Sequence, residues 1–131
     1  MELLPVTLCA GAAAAILTIW MMARTGKLRN QSKILHGDGG NPALIRRMRA
    51  QLNFVESAPF ILLLIAVIEL SGKGGQWLAY VAALYILGRV AHALGMDAEE
   101  VSKLRMAGVM ITMLTLLGLA IVAVLIAAKI M

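Results

Sequence analysis

The stretch Arg49-Ala-Gln-Leu-Asn-Phe-Val-Glu56-Ser-Ala-Pro-Phe-Ile-Leu-Leu-Leu-Ile-Ala-Val-Ile68 joins a polar helix face to an apolar run without a break. Arg49, Asn53 and Glu56 stand at i, i+4 and i+7, and at about 100° per residue the three lie within roughly 60° of one another. They form one patch at the mouth of an apolar helix. A carboxylate so near hydrocarbon costs about 2.5 to 3.5 kcal/mol at mid-bilayer, less near the interface. Glu56 is therefore expected to be paired, most simply with an arginine, and to face protein or a polar ligand rather than lipid.

The rest of the chain is of the same kind. Its 131 residues are 61% hydrophobic and its mean hydropathy is +0.88, far above that of a domain with a polar surface. Windows of about 20 residues mark four spans, 3–23, 54–70, 77–96 and 107–128, which predicts a single-domain, all-α membrane protein built as a four-helix bundle. The first span lacks the basic leader of a signal peptide and is too long for its apolar region, so it is expected to be retained. Cys9 lies alone within it and reads as a small packing residue.

The formal net charge of +5 raises the possibility of nucleic acid, but the placement of the charges answers it. Arg24, Lys27, Arg29, Lys33, Arg46, Arg47 and Arg49 flank the first loop, and Arg89, Lys103 and Arg105 flank the third; only Lys73 and Lys129 fall at the other face. This asymmetry predicts that loops one and three are cytoplasmic and both termini are not. Contact with anionic lipid headgroups is a secondary consequence of the same charge. No nucleic-acid partner is expected.

Local signals place the elements. Gly11 and the alanines of 12–15 allow close helix packing in a bilayer. Thr25-Gly26 and His36-Gly-Asp-Gly-Gly40 mark a loop; without a preceding strand and a following Lys-Ser/Thr its glycines read as a turn, not a phosphate cradle. Asn41-Pro42 is an N-cap and N1 pair that starts the second helix well before the membrane, with its stop at Gly72. Asp97 and Glu100 resemble a capping box for the fourth helix. Ser71 to Gln76 should tie helices two and three into an antiparallel pair, with Trp77 as an interfacial anchor.

Arg89 and His92, at i and i+3 on helix three, join Arg49, Asn53, Glu56 and Arg105 at one membrane level. Two readings of this cluster stand. Arg89 or Arg49 could pair with Glu56 and simply staple the bundle. Alternatively, several arginines and one carboxylate suit a zwitterionic peptide better than a phosphate. His36 and His92 have no Cys or carboxylate partners at ligand spacing, so no metal site is expected, and there is no Gly-x-Ser-x-Gly elbow. A four-helix multidrug transporter would carry its membrane carboxylate in the first span, which has none.

The stretch Arg49-Ala-Gln-Leu-Asn53-Phe-Val-Glu56-Ser-Ala-Pro59 resembles the second-helix signature of the MAPEG family, the membrane-associated proteins of eicosanoid and glutathione metabolism. Gly88-Arg89-Val-Ala-His92 is similar to the family's third-helix motif, and Lys103-Leu-Arg105-Met-Ala to its fourth-helix entry. The resemblance covers essentially the whole chain and is closest to small bacterial members. It implies a homotrimer in a bacterial inner membrane, with glutathione as cosubstrate bound between neighbouring subunits at the cytoplasmic side. It implies a glutathione transferase or peroxidase acting on a lipophilic small molecule delivered by the lipids, or else a non-catalytic scaffold of the same fold. By position, Arg49, Asn53 and Glu56 would hold the peptide. Gln51 points away from their face and would serve from the neighbouring subunit. Arg29 would meet a glutathione carboxylate, with Lys27 its rival, and Arg105 would stabilise the thiolate, since a nearby cation enlarges the reactive fraction of a thiol.

The chain also departs from the family pattern. Ser57 and Met96 replace tyrosines, and Met106 replaces a serine after the catalytic arginine, which removes several ligand hydrogen bonds. His92 stands where some relatives have tyrosine and either bonds the ligand or caps a backbone carbonyl. Asp38 either adds an acid above the site or forms a turn.

Overall fold

The computed structural model describes residues 3–131. It contains four helices: α1 Pro5–Ser32, α2 Pro42–Leu70, α3 Gln76–Gly95 and α4 Lys103–Ala127. All four are long and apolar enough to cross a membrane. The chain is a multi-pass membrane protein.

Each predicted span coincides with one helix to within two residues at the ends away from the basic loops and at the end of α3, but α1 and α2 extend well beyond theirs at the basic end. With 28 and 29 residues and a rise of 1.5 Å they measure about 42 to 44 Å, against a hydrocarbon layer of about 30 Å. α3, with 20 residues, is about 30 Å long and has no such surplus.

The start of α2 follows its local chemistry. Asn41 Oδ1 accepts from the Leu44 N–H at 3.1 Å, Pro42 occupies the first turn, and the helix continues through Pro59 to a Ser71 cap and Gly72 at φ 80°. The start of α4 corrects the expectation. Ser102, not Asp97, is the N-cap, its hydroxyl accepting from the Arg105 N–H at 3.1 Å. Asp97 is engaged elsewhere: its carboxylate pairs with Arg24 of α1 and lies 3.7 Å from Arg47 Nε of α2. Arg24 also stacks on Trp20, 4.9 Å from the ring centroid, and Arg47 donates to the Arg24 carbonyl at 2.8 Å. This clasp ties three elements together at the basic end.

The opposite end is tied by Glu69, an acid near the end of α2 that the sequence analysis did not single out. Its carboxylate accepts from the Val6 N–H at 2.8 Å and the Thr7 N–H at 2.9 Å, and from the Thr7 hydroxyl at 2.8 Å. These are free donors of the first turn of α1, whose own N-cap Leu4 offers no side-chain acceptor. The capping group therefore comes from a neighbouring helix.

Between these ends, Ile61, Ile65 and Ile68 of α2, Leu17 and Met21 of α1, Leu78 and Tyr85 of α3, and Leu119 of α4 form the core. α1 packs on α2 and α3, α4 packs on α3 and α2, and α1 and α4 do not meet. The approach of α3 to α4 depends on missing side chains. A Cβ on Gly108 would lie 2.5 Å from His92 Cβ and 2.6 Å from the Gly88 carbonyl oxygen, and one on Gly95 would strike the Arg105 backbone. These glycines set the height of Arg105 against His92.

Candidate functional site

The cluster expected at one membrane level divides between two faces of the subunit. On the first face, α1 and α2 enclose a groove of about 740 Å³ lined by Arg29, Asp38, Arg49 and Gln51 together with apolar side chains that include Met22 and Leu52. Arg29 reaches across the loop to donate to the Gly37 carbonyl at 2.7 Å, which holds the Gly-Asp-Gly-Gly turn over the groove. Asp38 forms the expected turn at the edge of the groove. It lines the groove, and its carboxylate accepts from the Gly40 N–H at 2.8 Å within the turn. Gln51, expected to point away from Arg49, Asn53 and Glu56, is apart from the last two but shares the groove with Arg49, where it accepts from the buried Thr25 hydroxyl at 3.1 Å. Lys27 is exposed and does not line this groove.

The second face is built on α2, α3 and α4. Asn53 and Glu56 are exposed there, with a buried polar core behind them. Arg89 is wholly buried, at 0% exposure. Its Nη1 donates to Thr112 Oγ1 at 3.0 Å, and its Nη2 donates to Asn53 Oδ1 at 2.7 Å and to His92 Nδ1 at 3.3 Å. Phe54 places its ring centroid 6.0 Å from the guanidinium carbon. Below this group, the Ser57 and Tyr85 hydroxyls share a 2.8 Å hydrogen bond. Arg105 is half-buried at the first turn of α4.

The expected ion pair of Glu56 with Arg89 or Arg49 is not made within the chain. Among the described residues the only carboxylate within salt-bridge distance of a basic group is that of Asp97. Arg89 instead satisfies its two terminal nitrogens with neutral acceptors, and its Nε has no partner. A guanidinium buried without a counter-ion costs several kcal/mol more than a paired one. The charge is tolerated because three neutral acceptors on three helices converge on it.

Three helices thus present polar groups at one level of an otherwise apolar bundle, in the order of motifs read from the sequence. The profile of the MAPEG family matches residues 7–125. The chain belongs to the MAPEG family. That match takes in both faces described above, from Arg29 in α1 to Thr112 in α4. No curated protein and no solved structure matches the chain, so membership rests on the family profile.

Some members of the MAPEG site were not anticipated. Thr112 lies seven residues after Arg105, on the same face of α4, and a hydroxyl in an apolar run is the kind of residue that bonds across helices in a bilayer. Thr25-Gly26, expected to mark a loop, instead lies within α1, which continues to Ser32, and this places the Thr25 hydroxyl against Gln51 of α2. Tyr85 is one turn before Arg89, and its buried hydroxyl bonds Ser57 across α2 and α3. That bond depends on helix packing and leaves no local trace in the sequence.

Proposed function

We propose that this chain is a membrane-embedded glutathione-dependent transferase or peroxidase acting on lipophilic electrophiles or lipid hydroperoxides, and that it works as a homotrimer. The carrying observation is the division of the polar set between two faces of one subunit, within a chain that belongs to a family containing such enzymes. Arg29, Arg49 and Gln51 open into the α1–α2 groove, while Asn53 and Glu56 stand exposed beside Arg89, His92 and Arg105. Neither face alone surrounds a tripeptide. A second copy placed against the first would join the two sets and remove Glu56 from lipid, where an ionised acid is costly.

In this reading the α1–α2 groove of one subunit receives one part of glutathione, and Asn53 and Glu56 of the next receive its amino-acid head. The Arg105 guanidinium lies beside the sulfur. A cation there favours the thiolate over the thiol, whose unperturbed pKa is about 8.5. The thiolate attacks the electrophilic carbon and the leaving group departs with the electron pair of its bond. With a hydroperoxide, two glutathione molecules are oxidised to the disulfide while the peroxide is reduced to alcohol and water. The apolar reactant arrives through the bilayer and the peptide from the basic end, taken as cytoplasmic in an inner membrane with both termini on the other side.

A non-catalytic glutathione- or lipid-binding scaffold is favoured by one specific observation. Ser57 is buried and committed to Tyr85, and Met96 is buried, so neither offers a hydroxyl to a ligand. Calorimetry with glutathione followed by a conjugation assay on the purified protein separates the two readings. Turnover supports the enzyme, binding without turnover supports the scaffold, and absence of binding removes glutathione as the ligand.

A further inference from the structure

We infer that Arg89 is a positioning residue that fixes Asn53 as a hydrogen-bond donor, so that a ligand group meeting it must be an acceptor, and that buried His92 reports the same arrangement. The inference rests on the reading above that the Asn53 side chain faces the ligand. Its basis is the direction of the hydrogen bonds. A guanidinium only donates. Its Nη2 is 2.7 Å from Asn53 Oδ1 and 3.3 Å from His92 Nδ1, so both atoms are acceptors. Asn53 then turns its NH2, not its carbonyl, toward the exposed face of α2. His92 carries its proton on Nε2, because its Nδ1 lone pair is occupied by Arg89.

The two side chains could otherwise adopt either polarity. An asparagine amide flips with little change in shape, and a neutral imidazole has two tautomers. Arg89 removes both choices at once, and its burial, its Thr112 bond from α4 and the Phe54 ring hold it in place. Glu56 is left as the acceptor on this face. A carboxylate or amide carbonyl is therefore selected opposite Asn53, and an ammonium or amide N–H is rejected there; His92, buried behind it, is held in one tautomer by the same guanidinium.

The ring nitrogens of histidine report the arrangement without any ligand. In protein labelled with 15N-histidine and held in detergent micelles at neutral pH, exposed His36 serves as the reference ring. His92 should show an unprotonated Nδ1 whose resonance is displaced from that of His36 by the donated hydrogen bond. Arg89→Met should return it to the His36 position. A protonated Nδ1 in the native protein, or a resonance that Arg89→Met leaves unmoved, overturns the inference.

If Arg89→Met does not fold, Asn53→Asp answers the same question. It keeps an oxygen for Arg89 but replaces the outward NH2 with a second acceptor. Glutathione binding should fall at least roughly tenfold while helicity holds and the unfolding temperature is unchanged or raised by the counter-ion given to Arg89. Unchanged or tighter binding overturns the donor assignment. Failure of the native protein to bind glutathione would overturn the proposed function, while the His92 ring state would still decide the role of Arg89.

Discussion

Arg105 and Glu56 carry the sharpest consequences at the level of single residues. Arg105 stands at the first turn of α4, set there by the Ser102 cap and the close approach at Gly95. If its charge acts on the thiolate alone, Arg105→Ala should leave glutathione affinity within about threefold and lower conjugation at least about a hundredfold, as loss of a charge-stabilising group does in other sites. Stopped-flow measurement of thiolate absorbance beside calorimetry checks both halves, and unaltered turnover would remove Arg105 from the role. Glu56→Gln should act oppositely. It removes a carboxylate from the Asn53 face, so binding weakens by about tenfold or more while the fold is kept, because among the described residues Glu56 makes no intrachain ion pair to lose.

The helices show where the sequence was readable and where it was not. All four spans and the Asn41-Pro42 start of α2 followed from hydropathy and cap chemistry, which act over one turn. The Asp97–Glu100 box failed because Arg24 and Arg47, far away in the chain, claim the same carboxylate. Glu69 escaped notice because its partners are 62 and 63 residues away, although the argument about acids near hydrocarbon applied to it as much as to Glu56. The site divided in the same manner. The residue types and their level were legible, whereas the neutral coordination of Arg89 and the bond from Tyr85 to Ser57 needed the packing of three helices. Two measurements follow at this scale. Both Glu69 oxygens accept from α1, so Glu69→Gln sets an NH2 against one of those N–H groups and should cost about 1 to 3 kcal/mol, read as a lowered unfolding temperature in micelles. Gly108→Ala forces a Cβ against backbone on α3 and should cost about 1 to 3 kcal/mol, with a loss of activity out of proportion because Arg105 moves relative to His92.

For the molecule as a whole, one end is fixed and the other extends. The short connection from Ser71 to Gly75 and the Glu69 cap hold α1, α2 and α3 at a common level on one side, so the additional turns of α1 and α2 all emerge on the other. Those turns carry Arg29, the Gly-Asp-Gly-Gly loop and Arg49 past the hydrocarbon. A cysteine placed at Gly39, in a Cys9→Ala background, should be labelled by an impermeant maleimide only from the cytoplasmic side of sealed vesicles; labelling from the outside alone would reverse the proposed orientation.

The unequal helix lengths also make the protein a gauge of its surroundings. α1 and α2 can meet a thicker bilayer by drawing in their spare turns, but α3, at about 30 Å, can only tilt less or stretch the lipid around it. The two outer struts and the inner one would then settle at different depths. Acyl chains longer than those of the native host would strain the floor on which His92 and Arg89 rest, while the vestibule above it stayed intact.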